Sequence, residues 1–212
     1  MGLEQSRLEI IDYNQVTNKM TKKFWKEPEY LEHVCNRQYE GHGTYNIEKA
    51  IPFLRIYFDK IVKNNENSLT VLEVGSGNGY NTNLLAEKFD NVKIIATDLQ
   101  KFNPNYYQID QLVSHEAVNK YGSEADVLLL ISPPCVGFMD YYAIKSYENV
   151  ESKKEKYLIF VGEMGASDGS KGIYHYLIDG EIWNLVCRNL FHHGTDLFGG
   201  NIEKEVFLFK LA

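Results

Sequence analysis

The sequence predicts an α/β fold, a doubly wound and mostly parallel sheet. Short apolar runs alternate with segments of helical period from residue 69 onward, a pattern typical of a parallel sheet with helices on both faces. A glycine-rich turn separates the first run from the helix after it. The chain has 212 residues, enough for one such domain with an added segment.

The chain is predicted to begin with a helical N-terminal extension or cap, residues 1–63, followed by one globular unit, residues 64–212. Helical hints lie around "EPEYLEHVCNRQYE", and Pro52 indicates a kink or a helix that starts near it. A second helix in the extension is predicted by an apolar spacing of 4, 3, 4 and 3 over Ile47, Ile51, Leu54, Phe58 and Ile61.

The elements of the main unit follow in order along the chain. Strands are predicted over "LTVLEV", "VKIIAT", "ADVLLLI", "KYLIFVGE" and the alternating "KEVFLFKL", with a weaker one within "YQIDQLV". Helices are predicted over "YNTNLLAEKF", "HEAVNKYG", "YYAIKSYENV" and "IYHYLIDGEIWNLVCRNL".

Charge and cysteine content restrict the classes of partner. With 22 basic and 29 acidic residues the net charge is −7, so a nucleic-acid partner is not favoured. Cys35, Cys135 and Cys187 lie far apart, which predicts neither a disulfide framework nor a metal site and favours the reducing cytoplasm. No apolar run approaches the ~18 residues of a membrane helix, so no membrane partner is expected.

The glycine turn indicates a ligand site. Gly75, Gly77 and Gly79 stand between a strand and a helix, where glycines allow a ligand to approach the backbone closely. Asp98 follows the second strand, 23 residues after Gly75, where an acidic side chain can bind the hydroxyls of a ribose. A dinucleotide fold, a turn without a ligand and an S-adenosylmethionine (SAM) site are the three alternatives; a dinucleotide site normally has its third glycine one residue later.

The stretch "VLEVGSGNGY" resembles motif I of the class I SAM-dependent methyltransferases. The resemblance implies a seven-stranded sheet, SAM as cofactor, a glycine loop against the methionine part of SAM and an acid after the second strand on the ribose. It also places an adenine contact near Ser114–Glu116. The implied cofactor residues are Glu73, Gly75, Ser76, Gly77, Gly79, Asp98, Leu99 and Ile131.

The segment "ISPPCVGFMD" after the fourth strand is where the resemblance places the methyl acceptor. Many nitrogen-methylating members carry Asp- or Asn-Pro-Pro-aromatic at this position, and here Ser132, Pro133 and Pro134 take the first three places. Cys135 replaces the aromatic residue. A stacking platform is therefore sought in Phe138 or the two tyrosines after it, Tyr141 and Tyr142, for which core packing is the alternative.

Cys135 also carries a second hypothesis. The Pro-Cys pair resembles cytosine-C5 methyltransferases, in which the thiolate attacks the ring and a glutamate after strand five assists; Glu163 has that place here. Val136 stands where those enzymes often have glutamine, and the chain lacks a large target-recognition segment.

The sequence therefore predicts a SAM-dependent methyltransferase acting on a nitrogen or oxygen atom. Ser132, Pro133 and Pro134 are expected to bind the acceptor, and Glu163 to serve as a base, in a glycine-rich stretch that also holds Asp168 and His175. The sequence leaves open whether the acceptor is a small molecule, a protein or a nucleic acid. It also leaves the oligomeric state open. A non-catalytic SAM-binding partner or scaffold is the rival from another class, and a nicotinamide dehydrogenase is disfavoured by the glycine spacing.

Overall fold

Seven strands form one mixed sheet in the computed structural model, which describes residues 47–62, 68–134, 138–164, 168–170, 172–195 and 201–212. The strands are β1 (Leu69–Val74), β2 (Val92–Asp98), β3 (Ile109–Gln111), β4 (Val127–Ile131), β5 (Tyr157–Gly162), β6 (Trp183–Thr195) and β7 (Asn201–Leu211). Their order across the sheet is β3-β2-β1-β4-β5-β7-β6. The pairs among β1 to β5 are parallel, whereas β7 is antiparallel to both of its neighbours. The predicted fold class is confirmed.

The helices alternate with the parallel strands, as the sequence pattern predicts. A 3₁₀ turn over Ile47–Ala50 leads into α1, and four more helices lie later in the described chain. They are α1 (Ile51–Val62), α2 (Tyr80–Lys88), α3 (Ser114–Tyr121), α4 (Met139–Asn149) and α5 (Ile173–Ile178). Pro52 is the second residue of α1, a position where proline costs no helical hydrogen bond.

Helix α1 belongs to the core of the sheet. Its apolar side chains, including Leu54, Phe58 and Ile61, are buried in one cluster with inward residues of β1, β2, β4, β5 and β7. Helices α3 and α4 contact β1, β2 and β4. The chain divides into Met1–Thr44 and Tyr45–Ala212, and every described residue lies in the second unit. The predicted helix around residues 27–40 lies outside the described residues, and the boundary after residue 63 stays a prediction.

The prediction of one long helix over residues 173–190 is wrong. Helix α5 ends at Ile178, and residues from Trp183 onward form strand β6. The register of β6 against β7 shifts between Leu185 and Cys187, so the strand alternation is interrupted. This bulge leaves apolar residues at Trp183, Val186 and Leu190, a spacing of 3 and 4 that imitates one face of a helix.

The strand order identifies where a ligand can bind. Strand β1 pairs with β2 on one side and with β4 on the other, so the chain order reverses at β1. In open parallel sheets the crevice at such a reversal, beyond the carboxyl ends of the strands, is the usual ligand site. The glycine turn leaves β1 at this edge. None of the helices in the described ranges is long and apolar enough to cross a bilayer.

Candidate active site

The glycine turn after β1 is held against the end of β2 by its backbone. The N–H groups of Gly75 and Ser76 both donate to the Thr97 carbonyl, at 2.8 and 3.0 Å, and the Ser76 hydroxyl donates to the same oxygen at 3.2 Å. Gly75, Gly77 and Gly79 have φ of 77°, 59° and 75°, the left-handed region that favours glycine. The turn is therefore held in place by hydrogen bonds within the chain.

Only one of these three glycines faces open space. A Cβ built on Gly75 would lie 2.2 Å from Met139 Cε, and one on Gly79 would lie 2.8 Å from Tyr107 Cβ. A Cβ on Gly77 would meet nothing within 4 Å. Packing against Tyr107 thus requires a glycine at position 79, whereas the neighbour of Gly75 is the end of a flexible methionine side chain and Gly77 leaves its backbone open to a ligand.

Asp98 lies directly beside this open backbone. Its Oδ2 accepts the Gly77 N–H and its Oδ1 accepts the Gln100 N–H, each at 2.8 Å. Burial raises the pKa of this carboxyl from 3.8 to about 6, although the backbone hydrogen bonds oppose the shift. A carboxylate can accept about four hydrogen bonds, so Asp98 keeps capacity for donors such as ribose hydroxyls.

Glu73 and Leu99, two of the predicted cofactor residues, support the crevice from behind. Glu73 is fully buried, and its Oε2 accepts the Thr82 hydroxyl of α2 at 2.7 Å. Burial raises the pKa of Glu73 from 4.5 to about 7. The Leu99 carbonyl accepts the Gln111 side chain at 3.1 Å, which joins the ends of β2 and β3. Glu73 thus ties β1 to α2, and Leu99 ties the end of β2 to β3.

Two buried polar atoms lie at the start of α3, the segment expected near an adenine. Ser114 Oγ and His115 Nδ1 have no hydrogen-bond partner among the described residues. Burial lowers the pKa of His115. The chain reaches α3 past Asp98, because the Leu112 N–H donates to the Asp98 carbonyl at 2.9 Å. These two groups are available to a ligand that extends from Asp98.

The x-Pro-Pro turn after β4 is the second centre of the site. Ile131 is buried at the end of β4, and Ser132 follows with a φ of 44°, uncommon for a residue with a side chain. The Ser132 N–H donates to the Val161 carbonyl of β5 at 2.7 Å, and its hydroxyl donates to Asp168 Oδ1. The Pro133 carbonyl accepts the Gly169 N–H at 2.8 Å. The turn is thus tied to residues 168–170.

Asp168 joins the predicted acceptor residues into one cluster. Besides the Ser132 hydroxyl it accepts the Glu163 N–H at 2.7 Å, and it forms an ion pair with Lys204 of β7. Both ion-pair partners are buried. Lys204 Nζ also lies 3.9 Å from Glu163 Oε2, and the Glu163 side chain is 48% exposed. The cluster thus presents one solvated carboxylate above a buried ion pair.

The aromatic candidates divide into two kinds. Tyr141 and Tyr142 are buried, and Tyr141 packs edge-to-face on Tyr176 with ring centroids 5.4 Å apart. Phe138 precedes α4 and is 41% exposed. Of the three side chains, that of Phe138 is the one that solvent reaches. Cys135, the alternative nucleophile, lies outside the described residues, and that hypothesis stays a prediction.

Two residues of the acceptor cluster were not assigned to the site from the sequence. Asp168 was expected only as one of several polar groups at this edge, and Lys204 was not expected at all. Lys204 shares its strand face with Val206 and Leu208, two and four residues later, both buried. A lysine in an apolar alternation was the signal that could have revealed it. Within the described residues no group of three acidic, histidine or cysteine side chains is placed to hold a metal.

Solved structures of known proteins share this architecture. A SAM-dependent methyltransferase from Anabaena variabilis superposes with a TM-score of 0.50 at 14% identity, over 79% of this chain and 86% of that one. This chain has the class I methyltransferase fold. The likeness confirms the predicted resemblance at the level of fold.

Two further structures are similar but less close in shape. A precorrin-6y C5,15-methyltransferase from Geobacter metallireducens matches at 11% identity and a TM-score of 0.49, over 81% of this chain and 92% of that one. A SAM-bound magnesium protoporphyrin IX methyltransferase from Synechocystis matches at 11% identity and a TM-score of 0.46, over 100% of this chain and 99% of that one. No protein-family model and no curated protein matches the sequence.

Proposed function

We propose that this protein is a SAM-dependent methyltransferase that transfers a methyl group to a nitrogen or oxygen atom. One observation carries the proposal. The open backbone of Gly77 and the Asp98 carboxylate lie together at the point where the strand order reverses, and the Ser132 turn ends the neighbouring strand β4. A cofactor lying along β1 and β2 would therefore have its reacting end beside Ser132.

The residues at this edge fit SAM. Gly77 offers an open cradle that a side chain would fill, and Asp98 keeps hydrogen-bonding capacity for the ribose hydroxyls. Ser114 Oγ and His115 Nδ1 are buried without a hydrogen-bond partner in the described part of the chain, and an adenine ring offers both donors and acceptors. Met139, whose side chain lies against Gly75, would adjoin the methionine part.

The chemistry divides between the cofactor and the chain. SAM, when bound, supplies a methyl group that is already activated by its positive sulfur. The protein therefore has to align the acceptor atom at ~3 Å from the methyl carbon and exclude water. Ser132 orients the acceptor, and Glu163 takes the proton that the acceptor loses. Lys204, 3.9 Å from the Glu163 carboxylate, helps to hold that base in place.

The acceptor class follows only in part from composition. The net charge of −7 makes a nucleic acid the least favourable acceptor, and leaves small molecules and proteins. The three widely spaced cysteines are compatible with work in the reducing cytoplasm, which we propose as its location.

Calorimetric titration with SAM and with its product S-adenosylhomocysteine (SAH) tests the cofactor site. Asp98→Ala should weaken binding by about 10- to 150-fold, because it removes charge-assisted hydrogen bonds worth ~1.5–3 kcal/mol. Asp90→Ala is the matched control, since Asp90 is exposed and precedes the same strand that Asp98 ends. Wild-type affinity in Asp98→Ala and in Gly77→Val, with the fold intact, would refute the assignment.

Methyl transfer is tested separately from binding. SAM with a radiolabelled methyl group, added with the enzyme to a cell extract, should label one of three fractions: small molecules, proteins or nucleic acids. Glu163→Gln should reduce this labelling while leaving SAH affinity unchanged. SAM binding without transfer to any fraction would favour the rival hypothesis of a non-catalytic partner.

A further inference from the structure

We infer that Asp168 makes the acceptor site specific for an amine nitrogen, because it converts the Ser132 hydroxyl into a hydrogen-bond acceptor towards the substrate. The inference rests on the proposed methyltransferase function and narrows its acceptor. Neither residue alone carries it; the juxtaposition of Ser132 with a buried, ion-paired carboxylate does.

The direction of the Ser132 hydrogen is set by its partner. Asp168 receives the Glu163 N–H and the Lys204 ammonium, and an ionised carboxylate has no hydrogen to give. The hydroxyl hydrogen of Ser132 therefore points at Asp168 Oδ1. The oxygen of that hydroxyl keeps its lone pairs, and Ser132 remains partly exposed. Towards a ligand it can only accept.

The Glu163 carboxylate is a second acceptor at the same edge of the sheet. Strands β4 and β5 pair in parallel with Ile131 opposite Val161, so Ser132 and Glu163 both emerge at the carboxyl edge of neighbouring strands. The Ser132 hydroxyl and the Glu163 backbone share the Asp168 carboxylate. The exposed Glu163 carboxylate is also acceptor-only when ionised.

Two acceptors around the same ion pair favour a group that carries two or more hydrogens. A hydroxyl has one hydrogen and leaves one acceptor unpaired, whereas an amine satisfies both. The charges agree, because two carboxylates against one lysine leave the cluster with a net charge of −1, which attracts an ammonium.

The reaction balances on these groups. The bound ammonium gives one proton to Glu163, and the amine then forms a bond to the methyl carbon through its lone pair. The carbon–sulfur pair returns to sulfur, which leaves neutral SAH and a positively charged methylated amine. In this step Asp168 is a positioning residue, since it acts through Ser132.

Sinefungin is a probe for this site that needs no knowledge of the substrate. In this SAM analogue a carbon bearing a primary amine replaces the methylated sulfur, so its amine takes the place of the transferred methyl group and points towards the acceptor site. We expect the wild type to bind sinefungin about tenfold more tightly than SAH in calorimetry. Ser132→Ala and Asp168→Asn should remove most of this preference and change SAH affinity less than twofold.

Two further variants separate positioning from structural support. Ser132→Asp combined with Asp168→Asn returns a carboxylate to the turn and should restore the preference that Asp168→Asn loses. The control is Asp179→Asn, which changes an exposed carboxyl after α5 and should keep the preference for sinefungin over SAH. If Asp168→Asn does not fold, Ser132→Ala decides, because it leaves the Lys204 pair intact.

The outcomes separate the inference from the function on which it rests. Binding of SAH without a preference for sinefungin, or a preference that survives both single variants, would overturn this inference alone. Failure of the wild type to bind either ligand would overturn the proposed function and this inference with it.

Discussion

The two halves of the site are built in different ways. At the cofactor edge, the glycine turn is held to the end of β2 mainly by its own backbone N–H groups, which donate to the Thr97 carbonyl and to Asp98 Oδ2. At the acceptor edge, four residues from the ends of β4 and β5, a loop and strand β7 are held together by the Asp168 side chain: Ser132, Glu163, Asp168 and Lys204. Both edges have a turn that can be read in the sequence, but the partnership of Asp168 with Ser132 and Lys204 at the second edge cannot, because each of these contacts joins residues 36 positions apart.

The two edges also treat buried charge differently. Burial raises the pKa of Glu73 to about 7 and that of Asp98 to about 6 at the cofactor edge. At the acceptor edge a buried lysine accompanies the buried carboxylate. We therefore expect the acceptor edge to lose stability when one partner of its ion pair is removed. At the cofactor edge we expect stability to depend on pH.

The largest effect is expected from breaking the acceptor-edge ion pair. Lys204→Met leaves Asp168 buried without its cation and should lower the free energy of unfolding by about 3–5 kcal/mol. Lys204→Met with Asp168→Asn should cost less than the single change, because no charge then stays unpaired. Urea unfolding measures both, and Lys210→Met, from the exposed pair with Glu155, should change stability by no more than about 1 kcal/mol. A single variant as stable as the wild type would show that the pair does not hold this edge.

Next in size is the effect of filling the cradle at Gly77. Asparagine tolerates the left-handed backbone, so Gly77→Asn should fold with near wild-type stability while losing at least tenfold in SAH affinity. Gly79→Ala should do the opposite and lose stability, since its Cβ would lie 2.8 Å from Tyr107. Calorimetry and thermal unfolding together distinguish the two. Equal SAH affinity in Gly77→Asn and wild type would mean that the ligand does not approach this backbone.

A smaller, pH-dependent effect is expected at Glu73. Its pKa is about 7 in the folded chain against an ordinary 4.5, so the folded state binds more protons and loses stability as the pH rises from about 4.5 to about 7. Glu73→Gln keeps an oxygen for Thr82 and removes this cost. Glu73→Gln should raise the free energy of unfolding by about 1–2 kcal/mol at pH 8.5 and should not raise it at pH 4.5. The value at pH 8.5 allows for the cost of the amide hydrogens of glutamine, which gain no partner. Urea unfolding at the two pH values tests this, with the exposed Glu87→Gln as control; the same change at both would contradict the charge argument.

The smallest effect is expected at Cys135. Cys135→Ser should keep SAH affinity and most of the methyl transfer measured in the fractionated extract, because direct transfer to nitrogen needs no thiolate. If the thiolate attacks the acceptor, the same variant should lose nearly all transfer, since a hydroxyl is a far weaker nucleophile at neutral pH. That loss, at unchanged SAH affinity, would support the alternative hypothesis.

The parts of the fold that the sequence predicted are those with an uninterrupted period. Strands β1, β2, β4, β5 and β7 are apolar or alternating runs, and each was placed to within a few residues. Strand β6 was missed because its bulge breaks the alternation and because its pairing with β7 is a contact that propensity does not contain.

The sequence by itself determined the α/β class, the glycine turn and the position of Asp98, because these depend on local period and on backbone conformations that only glycine adopts easily. The tertiary structure decided which glycine faces a ligand and which polar residues act together. Ser132 and Lys204 are 72 residues apart, and nothing near either one specifies that Asp168 will lie between them. That meeting depends on the order of the strands in the sheet, which places β4, β5 and β7 side by side.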